Sequence, residues 1–219
     1  MEMLDIENWK RRDIYKVFRA MQFPHFSLST ELDVTAALKF AKEAGVSSYS
    51  MMLYLTCHCG NEVPAFHLRL RPDGVIRHGE LAIAPTTGWK YGLYNFTMIH
   101  YSPNPAEFFR RQAEQDAMVM ELEHLNLEGD REIGDACIFS SCVPWFPFTG
   151  LTQPAHNAED SIPRIVWGKY VKRGRRTVMP ISLQCHHAVT DGHDVADFLD
   201  RFQQLANKPK ETFASLLKQ

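Results

Sequence analysis

The chain has 219 residues, enough for one large α/β or α+β domain with its own core. Apolar residues make up 45% of it and charged residues 23%, a globular composition that excludes a disordered chain. A formal charge of −2 leaves no net positive field for nucleic acid, and no polybasic run marks an anionic membrane surface.

The opening Met1-Glu-Met-Leu-Asp5 runs straight into the charged stretch Lys10–Asp13, without the apolar region of a signal peptide. A first helix is predicted over Trp9–Met21, ending before Pro24, and Phe26–Leu32 alternates as a strand does. Asp33 reads as the N-cap of a helix over Val34–Ala44, with Leu38 and Ala41 on one face and Gly45 as its stop. Ser48–Gly60 reads as a third helix, apolar nearly all round and therefore buried. Short strands follow at His67–Leu70 and Gly79–Ala84, around the turn signal Arg71-Pro-Asp-Gly74. Another strand is predicted at Asn95–Tyr101, and the longest helix at Pro105–Leu125. Cys137–Val143, Ile165–Val171 and Thr177–Cys185 read as strands. Val195, Phe198, Leu199, Phe202 and Leu205 mark a closing helix by their spacing. The longest apolar run, around Met51–Leu55, is far too short to span a bilayer. With no repeat, low-complexity tract or linker, the expectation is a single domain over residues 1–219, of mixed α/β or α+β class.

The five cysteines, Cys57, Cys59, Cys137, Cys142 and Cys185, are odd in number and sit in apolar context, which fits reduced thiols in a cytoplasm. On a helix Cys57 and Cys59 point about 200° apart and cannot share one ion; on a strand they share a face, but the pair is half a zinc site and no matching pair follows.

The informative segment is Gln184-Cys-His-His-Ala-Val-Thr-Asp-Gly192, placed where a strand ends and a helix has not begun. An imidazole, with its ordinary pKa of about 6.5, is available there in neutral form to accept a proton. His186, His187, Asp191 and His193 include metal-ligand types. However, His186 and His187 are adjacent in an extended chain, point to opposite faces and cannot chelate together. Alone, the pair also reads as a polar strand end.

His186-His187-Ala-Val-Thr-Asp191-Gly192 matches the HHxxxDG signature of coenzyme A-dependent acyltransferases and resembles the chloramphenicol acetyltransferase family in particular. Other segments resemble that family in the same order. They are Asp5-Ile-Glu-Asn-Trp9-Lys-Arg11-Arg12, Phe26-Ser-Leu-Ser-Thr-Glu-Leu-Asp-Val-Thr35 and Ser141-Cys-Val-Pro144-Trp145, followed by Gly168-Lys169-Tyr170 and Met179-Pro-Ile-Ser-Leu-Gln184. The resemblance spans nearly the whole chain.

The resemblance implies a mixed β-sheet flanked by helices, assembled as a homotrimer with the acceptor pocket between subunits. It implies acetyl transfer from acetyl-CoA to a small hydroxyl acceptor, chloramphenicol first, with no metal. His187 is then the general base, and Ser141 donates to the tetrahedral oxyanion. Asp191 pairs with Arg11 to hold the turn. Trp145, Lys169 and Tyr170 match coenzyme A positions, and Phe26 and Phe96 match acceptor-pocket aromatics. Alone, Ser141 reads as a strand serine, Trp145 as a core aromatic and Arg11 as part of a solvated helix face.

Three features depart from the family. Val166 stands where a threonine helps to hold a water near the oxyanion, so either another group does that work or the support is weaker. Pro24 replaces a small or sulfur-bearing residue, and Phe146–Asn157 differs in character. These leave a different small alcohol open as acceptor; the opposing class is a non-catalytic trimeric binding relative, against which the intact His187, Ser141, Asp191 and Arg11 argue.

Overall fold

The computed structural model describes residues 2–127 and 133–217. In chain order its first half holds β1 (Glu2–Met3), α1 (Arg12–Arg19), β2 (His25–Asp33), α2 (Thr35–Ala44), α3 (Ser48–Asn61), β3 (Leu68–Arg71), β4 (Gly74–Arg77), β5 (Ala82–Gly88) and β6 (Tyr94–Phe96). There follow α4 (Pro105–Glu121), β7 (Cys137–Val143), β8 (Arg164–Gly168), β9 (Val171–Arg173), β10 (Arg176–His186), α5 (Gly192–Asn207) and the short α6 (Pro209–Thr212).

The main sheet has seven strands in the order β2-β10-β8-β7-β5-β6, with β9 pairing β10 off that path. β5, β7 and β8 are mutually parallel, while β10, β2 and β6 pair antiparallel with their neighbours. This is the expected mixed sheet flanked by helices. Its two faces are written most plainly in β10. Met179, Ile181, Leu183 and Cys185 alternate with Ser182, Gln184 and His186, and all seven are buried. The apolar set meets α2, α3 and α5 in the main core, with Ile83, Ile138, Ile165 and Trp167 from the neighbouring strands. α3 lies close against β7, since a Cβ added to Gly60 would sit 2.2 Å from Ile138 Cδ1.

The polar set of β10 is covered by the chain between β7 and β8. Leu151 O accepts from Ser182 at 2.7 Å, Gln153 exchanges bonds with Gln184, and Ala158 O lies 2.8 Å from His186 Nε2. That stretch is itself anchored by the buried Arg164–Asp160 ion pair. A second, three-stranded sheet, β1-β4-β3, packs with α1 over a smaller core of Tyr15, Leu68, Leu70, Val75, Ala188 and Val189.

Several expected elements are shifted. The first helix is confined to Arg12–Arg19. Asp33 does cap the second helix, by accepting from Thr35 N at 3.0 Å, but Val34 occupies the N-cap position itself. Gly45 closes that helix in the left-handed conformation, as expected. The strand returning from the Arg71–Gly74 turn is β4, not Gly79–Ala84, because a two-residue Pro72-Asp73 loop pairs Arg71 directly with Gly74. The strand predicted at Asn95–Tyr101 is limited to Tyr94–Phe96, plus one bridge between Ile83 and Ile99. α4 stops at Glu121, short of Leu125. Ile165–Val171 is split into β8 and β9 at Lys169-Tyr170. Among the described residues, no helix is long and apolar enough to cross a membrane.

Candidate active site

β10 ends at His186 and α5 begins at Gly192, so His187–Asp191 form the turn between a buried strand and a capped helix. His186 turns inward and is 1% exposed. A carbonyl can only accept, so His186 donates from Nε2 to Ala158 O, while its Nδ1 accepts from Ala188 N at 3.1 Å. Both ring nitrogens are occupied, and burial pushes its pKa down to about 4.

His187 turns the other way and is partly exposed. Its backbone N donates to Pro24 O at 2.9 Å. Its Nδ1 lies 3.1 Å from Thr190 O, and the same logic places the proton on Nδ1. The opposite nitrogen, Nε2, makes no hydrogen bond among the described residues and is the acceptor in the neutral ring. The ring is held between Phe18 and Phe26, at centroid separations of 4.0 and 4.6 Å.

The turn is supported from two sides. Ala188 and Val189 insert into the smaller core. Arg11, at the start of α1, donates from Nη2 to His187 O at 3.0 Å and from Nε to Ala188 O at 3.3 Å, and its Nη1 pairs with Asp191. Asp191 also accepts from His193 N at 2.9 Å, and Asp194 returns the contact to Asp191 N, a reciprocal cap on α5. Burial pushes the Asp191 carboxyl up, but the bonds from Arg11 and His193 outweigh it and hold it below its ordinary value.

Ser141 lies elsewhere. Strand register sets Phe96 opposite Thr86, Ser141 beside Val166, Val166 opposite Ser182, and Ser182 opposite Ser29. Thr86 and Ser141 follow the paired Pro85 and Ser140, and their hydroxyls are 2.8 Å apart. These six residues form one row across the sheet, and Val166 interrupts its run of hydroxyls. His187 is five residues beyond Ser182 along β10, roughly 16 Å at the usual rise of a strand. The row reaches Ser141 two strands further over, about 10 Å more. Within one chain the two residues are therefore roughly 19 Å apart. The expected pocket aromatics divide the same way, Phe26 beside His187 and Phe96 in the row of Ser141.

Trp145, Lys169 and Tyr170 adjoin one another, since Lys169 N donates to Phe146 O at 3.3 Å. Trp145 is 74% exposed, so it is no core aromatic. Lys169 is also exposed, whereas Tyr170 packs against the main core and burial pushes its hydroxyl up to about 12. Phe18 and Thr86 were not among the predicted site residues. Phe18 has a helical-spacing signal only, on a helix that buries Tyr15 alone, and Thr86 carries no motif at all. Among the described residues, no group of three or more His, Cys, Asp or Glu side chains is placed to hold a metal ion.

The family model for chloramphenicol acetyltransferase matches residues 1–203. The chain belongs to the chloramphenicol acetyltransferase family. Chloramphenicol acetyltransferase 2 of Escherichia coli is 28% identical over 207 residues, covering 93% of this chain and 96% of that protein. The chloramphenicol acetyltransferase of Staphylococcus aureus is 26% identical over 213 residues, covering 95% and 96%. A solved chloramphenicol acetyltransferase structure superposes with a TM-score of 0.85 at 27% identity, covering 94% of this chain and 99% of that one. Against this family background the seven-stranded mixed sheet and its helices are the expected architecture.

Proposed function

We propose that this chain is an acetyl-CoA-dependent O-acetyltransferase whose first candidate acceptor is chloramphenicol. The observation that carries the chemistry is the 3.1 Å contact of His187 Nδ1 with Thr190 O, which turns Nε2 away from the backbone in a ring flanked by two aromatics. In the reaction, Nε2 takes the proton of the acceptor hydroxyl as its oxygen attacks the thioester carbonyl. The carbonyl becomes a tetrahedral oxyanion, to which Ser141 Oγ donates. When the intermediate collapses, the C–S bond breaks, the ester is released, and the imidazolium returns its proton to the departing thiolate. Arg11 and Asp191 hold the turn that aims the ring. Trp145, Lys169 and Tyr170 face coenzyme A, and Phe26 and Phe96 face the acceptor.

The working unit in this reading is a homotrimer of single-domain chains, with each site shared between two of them. The roughly 19 Å between His187 and Ser141 supports this, because proton transfer and oxyanion stabilisation both need contact of about 3 Å with one reacting centre. A cytoplasmic setting fits the five cysteines, all free. The departures at Pro24, Val166 and Phe146–Asn157 favour a second reading of the acceptor alone, as another small alcohol.

The test is thiol release from acetyl-CoA with purified protein and an acceptor panel that includes chloramphenicol. Saturable release with chloramphenicol is expected. Faster turnover of another alcohol with chloramphenicol untouched removes the antibiotic and keeps the acetyl transfer. No release with any acceptor favours a binding relative.

A further inference from the structure

We infer that Thr86 is a positioning residue that acts through Ser141, supplying from β5 the hydroxyl support that Val166 cannot supply from β8. The inference rests on the reading of Ser141 as the oxyanion donor.

A serine hydroxyl has one proton and two lone pairs. If Ser141 gives its proton to the oxyanion, any second bond it makes must be one it accepts. Its two flanking neighbours in the sheet row decide what is on offer. Val166 is 1% exposed and carries methyl groups only. Thr86 Oγ1 is 2.8 Å from Ser141 Oγ, and either atom can be the donor. A bond donated by Thr86 fixes the Ser141 rotamer and leaves the Ser141 proton free to point at the reacting centre. It also polarises that hydroxyl, because hydrogen bonds in a chain strengthen one another. A bond in the opposite sense occupies the Ser141 proton and must reverse as charge develops.

Thr86 is well suited to hold this direction. Branching at Cβ restricts its χ1, and β5 is pinned by β7 on one side and β6 on the other. Ser140, next to Ser141, points to the other face of the sheet and its buried Oγ has no hydrogen-bond partner among the described residues, so it offers no substitute. The arrangement amounts to a hydroxyl on one flank of Ser141 in a chain that lacks one on the other.

The test is a double-mutant cycle with full kinetics, using acetyl-CoA and the best acceptor from the panel. Thr86→Val and Thr86→Ala should each lower kcat about fivefold to tenfold with little change in either KM, the loss of one hydrogen bond felt mainly in the transition state. Thr86→Ser should keep most of the rate. In a Ser141→Ala background, Thr86→Val should have no further effect, because its action passes through the missing hydroxyl. A wild-type kcat in Thr86→Val or Thr86→Ala overturns the inference, and so does an equal loss in both backgrounds. If Ser141→Ala itself leaves kcat unchanged, the reading of Ser141 falls and this inference with it. If Ser141→Ala is crippled and the Thr86 variants are not, only the inference falls.

Discussion

The two histidines of the motif are adjacent in sequence and opposite in circumstance. His187 has one nitrogen tied to Thr190 O and the other without a hydrogen bond among the described residues, and His186 has both nitrogens used. Replacing His187 with alanine should therefore lower turnover by roughly 10²–10⁴-fold, the usual worth of a general base, while leaving the fold intact. Steady-state rates beside thermal unfolding curves check this, and an active His187→Ala protein would reverse the assignment. His186 should matter to stability instead. Unfolding exposes its imidazole to water, where it gains a proton near its ordinary pKa of 6.5; buried, it gains one only near about 4. Between those values the unfolded chain holds the extra proton. Stability is thus fully present above about pH 6.5 and lost as the pH falls towards 4, by up to about 3 kcal/mol. In His186→Asn, urea unfolding between pH 7 and 4.5 should show a shallower acid slope than the parent, by about one proton. An unchanged slope would show that another group dominates there.

At the scale of elements, the turn is a joint between the start of α1 and the start of α5, closed by Arg11 and Asp191. Their side chains are 14% and 29% exposed, so the pair lies between a surface bridge and a buried one. A coupling energy of about 1–3 kcal/mol is expected on that ground. Asp191 also caps α5, so Asp191→Asn, which keeps an acceptor for His193 N, should be milder than Asp191→Ala by about 1 kcal/mol. A double-mutant cycle of Arg11→Ala with Asp191→Asn, read by denaturation and kcat, measures the pair, and strict additivity would show that it does not act as one. How much of this was legible follows from what is local. The alternation of β10 and the capped entry to α5 are written in consecutive residues. The β3–β4 hairpin was misplaced because its pairing is set by turn length, and an apolar stretch further on looked equally strand-like. The Thr86–Ser141 contact joins residues far apart in sequence through a parallel strand pair, which no periodicity reveals. Phe18 was hidden for a related reason. It leaves a mostly polar helix to reach a ring that belongs to the far end of the chain.

At the scale of the molecule, ideal strand rise and spacing put the backbone of Ser141 roughly 19 Å from that of His187, just past the end of β10. No side-chain rearrangement spans that, so a reaction using both residues needs His187 of one chain and Ser141 of another. For the homotrimer proposed above, light scattering should report about three times the chain mass of 25.2 kDa, a closed cyclic assembly. Mass alone does not say where the sites are, but mixing does. His187→Ala and Ser141→Ala should each be nearly inactive as pure assemblies. Unfolded together in equal amounts and refolded, they should form mixed assemblies in which some interfaces join an intact His187 to an intact Ser141. Random assembly makes each such pairing the product of two even chances, so activity should recover to about one quarter of the wild-type value. Were both residues to serve a site within one chain, no mixture could rebuild it, because every chain carries one defect. Refolded mixtures as inactive as their parents, with the trimer mass intact, would place the whole reaction inside a single subunit and refute the shared site.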